Sequence, residues 1–322
     1  MKIVDFTRDH IAEAVTLGLT NYEEERCHVP ALPLINAIPY LPKIADNGLG
    51  VAAYDGGKML GFLCCYKPHD NTFGIPGLRG VFSPMGGNAA IPENRTKIYA
   101  AMYQSAAEKW VCAGAVSHAI SLYANDKETQ EQFFRYGFGL RCVDAIRGME
   151  EIVSLPCDGY TYCELSPDKF LEILPMEKKL CRHFLGSPTF MTKAPIDIEV
   201  FFKGDIFLKN IEKSRYFAAR ENEVSVAFLC AEVTGETFLC DIAGYIHISG
   251  AYCLPEHRGQ GILQGLLSYA IRTLKNDGFT RMGTDFESIN PVAYNFWLKY
   301  FNAYAHSVVR RIDENILKET RG

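Results

Sequence analysis

Tyr245-Ile-His-Ile-Ser-Gly-Ala-Tyr-Cys-Leu-Pro-Glu-His-Arg-Gly-Gln-Gly-Ile-Leu-Gln-Gly-Leu-Leu-Ser-Tyr-Ala-Ile-Arg-Thr-Leu274 is the stretch on which the reading of this chain turns. Tyr245 to Cys253 is rich in β-branched and aromatic residues and reads as a strand. Ile262, Leu266, Tyr269, Ala270 and Thr273 recur at three- and four-residue spacing, the period of a helix with one apolar face. Pro255 stops the strand, and Gly259 and Gly261 allow a turn too tight for a Cβ. The first N–H groups of a helix have no partner inside it, and the helix dipole adds partial positive charge there. With glycines clearing the approach, such a turn can close around a phosphate or pyrophosphate, and Arg258 adds a formal charge. The same residues also read as a plain strand-to-helix loop with an exposed arginine.

Arg258-Gly-Gln-Gly261-Ile-Leu263 resembles the acyl-CoA signature of the GCN5-related N-acetyltransferases (the GNAT family), which runs (Gln or Arg)-x-x-Gly-x-(Gly or Ala). Arg258 and Gly261 match it, and Leu263 departs from its last small residue. A second element follows: a strand, Arg281–Ser288, then Asn290-Pro-Val-Ala293-Tyr-Asn-Phe-Trp297. This is similar to the family's Asn-x-x-Ala-x-x-apolar-aromatic helix after its fifth strand, and the resemblance covers residues 245–312. It implies an α/β (α+β) fold with a mixed, mostly antiparallel sheet flanked by helices. It also implies acetyl-CoA lying between splayed fourth and fifth strands, its pantetheine arm on the backbone of Ala251, Tyr252 and Cys253. The pyrophosphate would sit on Gly259, Gln260, Gly261, Ile262, Leu263 and Gln264, with Arg258 beside it. Asn290 would bond the pantetheine or cap its own helix, and Trp297 stands where many members carry a tyrosine.

The 322 residues are enough for two domains of ~160, and the sequence repeats itself at about that interval. Phe6-Thr-Arg-Asp9-His-Ile11 parallels Leu165-Ser-Pro-Asp168-Lys-Phe170, each a hydroxyl N-cap with an acid in the first helical turn. Ala53–Cys64 parallels Ala219–Cys230, each an apolar strand, a short polar turn and an apolar strand. Two tandem acyl-CoA N-acyltransferase-like domains are therefore expected: a degenerate copy at 1–152 and an acetyl-CoA-binding copy at 160–322. Glu150–Gly159 would link them, and Phe184–Lys213 would be the variable helix-and-loop wall of the acceptor site. In the first copy Leu78–Ser83 is the matching strand and Glu93–Gly114 the matching helix, separated by the longer loop Pro84–Pro92. A constant offset puts Asn94 and Lys97 opposite Arg258 and Gly261, so a Cβ would fill the phosphate approach. Gly86 and Gly87 offer a different anion loop or an ordinary turn.

A net charge of −5 lacks the basic face that sequence-independent nucleic-acid binding needs. No apolar run approaches a membrane span. Met1-Lys-Ile-Val-Asp-Phe6 enters a strand pattern directly, so the expected location is the cytoplasm. Eleven cysteines in irregular spacing, without a C-x-x-C pair, read as buried thiols in a reducing compartment, and no metal is expected.

Acetyl transfer needs a base for the amine and an acid for the thiolate. Asp285 and Glu287 are two apart on a strand and share a face, where mutual repulsion would raise the pKa of one. Asp285 holds the place of a family glutamate, and Glu287 reaches further. Because Trp297 cannot supply a proton, Tyr294 and Tyr300, three residues to either side, are the candidate acids; all three aromatics also read as core. Arg310 or Arg311 could meet an acidic acceptor. The expected activity is N-acetylation of a primary amine on a small molecule or peptide, by a monomer or homodimer. The alternative is a non-catalytic acyl-CoA sensor, which Trp297 and Leu263 favour.

Overall fold

The computed structural model describes residues 1–153, 157–192, 214–235 and 237–319. Most of the expected wall segment 184–213, and Pro156 of the expected linker, lie outside the described residues. The chain divides into two compact units, Met1–Asp144 with Ala303–Gly322, and Ala145–Asn302.

In the first unit β1 (Lys2–Asp5) leads into helix α1 (Ile11–His28), a single turn α2 (Leu41–Ile44), then β2 (Val51–Asp55) and β3 (Lys58–Leu63). β2 and β3 form the expected hairpin, with Asp55 opposite Lys58. Both turn residues, Gly56 and Gly57, have positive φ (52° and 82°), the conformation whose twist matches that of the strands. β4 (Gly80–Ser83) and β5 (Asn88–Ala90) come next, then α3 (Arg95–Cys112), β6 (Ser117–Tyr123), α4 (Lys127–Arg135) and β7 (Gly139–Gly148), within which the unit boundary falls. Pro84–Pro92, read from sequence as a loop, thus contains a strand: β5 pairs antiparallel with β3, while β4 pairs parallel with β6. The run from Ser83 to Ala90 is buried, and burial obliges its backbone to find partners. Gly87 N–H is spent on Pro84 O at 2.8 Å, and a Cβ at Gly86 would press on Ile38. The Gly86–Gly87 segment is therefore packed chain, not an anion loop. Trp110, wholly buried, donates from Nε1 to Leu49 O (3.0 Å) and completes the core that α3 lays on the strands.

In the second unit β8 (Tyr160–Glu164) is followed by a 3-10 turn (Pro167–Ile173) and helix α5 (Leu174–Leu185). Then come β9 (Ser214–Glu221), β10 (Val224–Glu232), β11 (Tyr245–Cys253), α6 (Ile262–Asn276), β12 (Arg281–Glu287) and α7 (Pro291–Trp297). The sheet order is β8-β9-β10-β11-β12, antiparallel except for the last pair. The β9–β10 hairpin turns at Asn222 and Glu223, both again at positive φ (47° and 65°), so the two copies share a turn type as well as a sequence pattern.

α6 buries Ile262, Leu266 and Ala270 of the predicted face together with Leu267, Ile271 and Leu274, while Tyr269 and Thr273, also predicted, are only half-buried. Each fully buried leucine or isoleucine stabilises by roughly 1.5–3 kcal/mol. Gly265 lets the helix close on β8, since a Cβ there would run into the Tyr162 hydroxyl.

The chain then enters β13 (Asn302–Arg311), which pairs antiparallel with β6 of the first unit from Ala305↔Tyr123 to Arg311↔Ser117, and ends in the turn α8 (Ile316–Glu319). Sequence repeat assigns this strand to the second copy; hydrogen bonding assigns it to the first. Among the described residues no helix is long and apolar enough to cross a membrane.

Candidate functional site

Two neighbouring strands of the second unit part company, and the site begins there. β11 and β12 are in parallel register from Tyr245↔Arg281 to Ile248↔Thr284, and no further. β10 and β11 stay paired to Cys253, with a register shift that leaves Ser249 as an extra residue. A bulge of this kind bends its strand and re-aims the backbone beyond it. From Ser249 onward, β11 therefore presents one paired edge to β10 and one open edge toward the gap.

The turn after Cys253 runs through a short 3-10 segment, Pro255–His257, to Gly259 and Gly261, at φ 77° and 82°. Gly261 is the N-cap of α6 in the left-handed region. Among the described residues no N–H from Gly259 through Gln264 has a hydrogen-bond partner. A Cβ on Gly259 would meet nothing within 4 Å, so its glycine is required by backbone angle alone. The arrangement is a run of amide donors at a helix N-terminus, which fits a diphosphate.

Arg258 folds back: its Nε donates to Cys253 O (2.9 Å) and its guanidinium lies over the Tyr252 ring, 5.1 Å from the centroid. It thus fastens the turn to the end of β11, and its Nη groups have no partner among the described residues. Around the loop, Cys157 Sγ donates to Gln260 O (3.2 Å), Gln264 Nε2 to Val153 O (2.9 Å), and His257 Nδ1 lies 3.0 Å from the Tyr160 hydroxyl. His257 is half-buried by that contact.

Two clefts open on either side of α7. The loop cleft, about 380 Å³, gathers Ala251, Tyr252, Cys253, Arg258, Gly259, Gly261, Ile262, Leu263, Gln264, Asn290 and Trp297. Gln260 points elsewhere, its Oε1 accepting from Tyr160 (3.4 Å). The strand cleft, about 220 Å³, holds Asp285 and Glu287. Leu180, Ala251, Asn290, Ala293 and Trp297 line both and mark the seam between them. Asn290 caps α7, its Oδ1 accepting from Ala293 N (3.4 Å), and Trp297 packs on Phe296 and Phe301. Tyr300 lines the loop cleft, and burial raises its phenol pKa. Tyr294 lines neither cleft; its ring meets Phe286 edge-on at 5.9 Å. Arg310 and Arg311 belong to the other unit, where Arg311 pairs with Glu314.

Sequence reasoning missed two histidines. His247, buried on β11, donates from Nε2 to Asp285 Oδ1 at 2.7 Å. Burial alone would discharge the imidazole, but the bonds to Asp285 and Cys240 outweigh it and lift its pKa to about 10. Asp285 therefore faces a buried cation, and the two strand carboxylates do not simply repel each other. His183, on α5, lines the loop cleft with Nε2 3.5 Å from Asn290 Oδ1. His247 falls inside the strand read from Tyr245 to Cys253, but nothing local could name its partner 38 residues away. His183 is 107 residues from Asn290 and had no motif around it.

The corresponding helix start in the first unit is built differently. α3 has Asn94 as its N-cap, left-handed like Gly261 (φ 56°), so Arg95 stands where Ile262 does. The constant offset had put Lys97 opposite Gly261; the helix starts instead align Asn94 with it, three residues earlier. Arg95 is taken by Glu24 (2.7 Å) and Asp126 (3.4 Å). The cavity there, about 310 Å³, is lined by Glu24, Glu25, Asp126 and Glu128 as well as by basic groups. Burial raises the Glu25 carboxyl while two bonds from Asn125 pull it back. Carboxylates in that number oppose a diphosphate. Among the described residues no cluster of His, Cys, Asp and Glu could hold a metal ion.

Residues 182–302 match the Acetyltransferase (GNAT) family model. The chain is similar to a GCN5-related N-acetyltransferase from Sphaerobacter thermophilus, with 13% identity over 93% of each chain and a TM-score of 0.56, which shows a shared fold. A GNAT-family acetyltransferase from Colwellia psychrerythraea aligns at 12% identity over 97% of this chain and 100% of its own, with a TM-score of 0.49. A tandem GNAT protein from the clavulanic acid biosynthesis pathway aligns at 14% identity over 96% and 98%, with a TM-score of 0.47. No curated protein matches the sequence.

Proposed function

We propose, on the premise that residues 182–302 form an acetyltransferase domain of the GNAT family and make the chain an acyltransferase, that it moves acetyl from acetyl-CoA directly to a primary amine. The observation that carries this reading is the run of amides from Gly259 to Gln264, unpartnered among the described residues, in a cleft whose neighbour across a shared seam holds two carboxylates. Those amides and Arg258 would hold the diphosphate, and the open edge of β11 at Ala251–Cys253 would hold the pantetheine arm as an added strand is held. Acetyl-CoA supplies an acyl group activated as a thioester. The loop cleft is then the donor cleft and the strand cleft the acceptor cleft.

Within the acceptor cleft Asp285 and Glu287 divide the work. Asp285 is ion-paired with His247, which holds the cleft wall in place and leaves Glu287 as the carboxylate that acts on the amine. Glu287 is the base that takes the proton of the attacking nitrogen. The division proposed from the repeat stands beside this: 1–152 a degenerate acetyltransferase-like domain, 160–322 the acetyl-CoA-binding one, working in the cytoplasm as a monomer or homodimer on a small molecule or peptide. A non-catalytic acyl-CoA sensor is the second reading, and Trp297 at the expected acid position favours it.

Thiol release from acetyl-CoA with a panel of primary amines separates the two. Turnover with at least one amine supports the enzyme. Tight binding of acetyl-CoA with no turnover on any amine supports the sensor.

A further inference from the structure

We propose that His183 is the group that returns a proton to the departing CoA sulfur, an assignment that rests on the acetyl-transfer reading above. The imidazole stands at the seam of the two clefts. Helix α5 carries Leu180, which lines both clefts, and His183 one turn later, which lines the donor cleft alone. Asn290, 5% exposed and likewise common to both, is 3.5 Å from His183 Nε2. Ala293 N–H donates to the same Asn290 Oδ1, which fixes that oxygen as an acceptor. Nε2 of His183 therefore carries hydrogen, and Nδ1 is the nitrogen that gains and loses a proton. Nδ1 has no partner among the described residues.

The arrangement separates acid from base. Asp285 and Glu287 border the acceptor cleft only, and His183 the donor cleft only. The other candidate acids are poorly suited. Trp297 has an indole, and Tyr294 is packed on Phe286 outside both clefts. Tyr300 has a phenol that burial makes still more reluctant to part with its proton. An ordinary thiol holds its proton to a pH of about 8.5 and an ordinary imidazolium to about 6.5, so transfer from imidazolium to thiolate runs downhill. In the step itself the C–N bond forms and the C–S bond breaks. The amine nitrogen gives its proton to the Glu287 carboxylate, and the sulfur takes the proton from His183 Nδ1. Exchange with water resets both groups.

The titratable and charged groups that face His183 across the donor cleft are His257, Arg258, Lys299 and Tyr300, with Lys179 and Arg182 on its own helix. The test pairs His183→Gln and His183→Asn with Tyr300→Phe as control. Two measurements are made: steady-state thiol release against pH, and the ultraviolet thiolate absorbance of enzyme-bound CoA against pH. His183→Gln is expected to lower kcat by ~10²–10⁴-fold, with KM for acetyl-CoA within threefold. Bound CoA should form thiolate at lower pH in wild type than in either His183 variant, because an imidazolium beside the sulfur favours its anion. Equal thiolate titrations in wild type and both variants overturn the assignment, as does a kcat within twofold of wild type. A loss found in Tyr300→Phe and not in His183→Gln also overturns it. If no amine releases thiol while CoA still binds, the acetyl-transfer reading fails, and the absorbance titration alone decides whether His183 faces the sulfur.

Discussion

Replacing Gly261 with aspartate puts the anion cradle under the most direct test. The backbone there has φ 82°, and an L-residue forced into the left-handed region costs ~1–2 kcal/mol. The added Cβ itself is tolerated, since its nearest neighbour, Cys157 Sγ, would lie at an ordinary 3.5 Å. Gly261→Ala therefore isolates strain: a stability loss of ~1–2 kcal/mol and a modest loss of CoA affinity. Gly261→Asp carries the same strain, partly offset by ~0.3–1 kcal/mol from a negative charge at a helix N-terminus. For binding, the new carboxylate and a phosphate oxygen about 4 Å away repel by ~4 kcal/mol at an effective dielectric constant near 20. That is about a thousandfold in Kd. Calorimetric titration with CoA beside thermal unfolding reads both quantities. Aspartate should melt no lower than alanine yet bind CoA far more weakly. An aspartate variant that binds CoA within threefold of the alanine variant would show that no phosphate sits on this turn.

Glu287→Gln should lower kcat by ~10²–10⁴-fold while leaving CoA affinity intact, as measured by thiol release and calorimetry. The His247–Asp285 pair should give stability a pH dependence of known sign. A histidine whose folded pKa is raised contributes fully below its unfolded value near 6.5 and loses that contribution as pH climbs toward about 10. The melting-temperature advantage of wild type over His247→Gln should shrink across that interval; an advantage that grows would refute the pairing. Binding of CoA should saturate at one per chain, because Arg95 and its carboxylates occupy the first unit's helix start; a stoichiometry of two would contradict this.

The parts legible in the sequence are those whose signal is local. The β11–α6 stretch announced itself because a strand period, a proline, two glycines and a helix period follow one another within 30 residues. The two hairpins were legible for the same reason, although the positive φ of their turns was seen only in the structure. The donor residues came with the loop: once Gly261 caps α6, its neighbours are placed by chain connectivity. What stayed hidden depends on partners far along the chain. Alternation at Ser307–Ile312 says strand, but not that Val308 lies opposite Ile120. Asp285 and Glu287 were read as a repelling pair because His247 belongs to a different strand. β5 escaped because three buried residues carry too short a pattern to distinguish a strand from a turn.

The placement of β13 has a consequence for how this protein is made. Domains usually fold in the order they leave the ribosome. Here β6 is synthesised early, but the strand that pairs along it from Ser117 to Tyr123 is translated only after the whole of the second unit. Until then the nascent first unit exposes an unsatisfied edge, a template for mispairing that a growing chain must shield. Emergence of β13, and not completion of residue 144, is the event that lets the amino-terminal unit close.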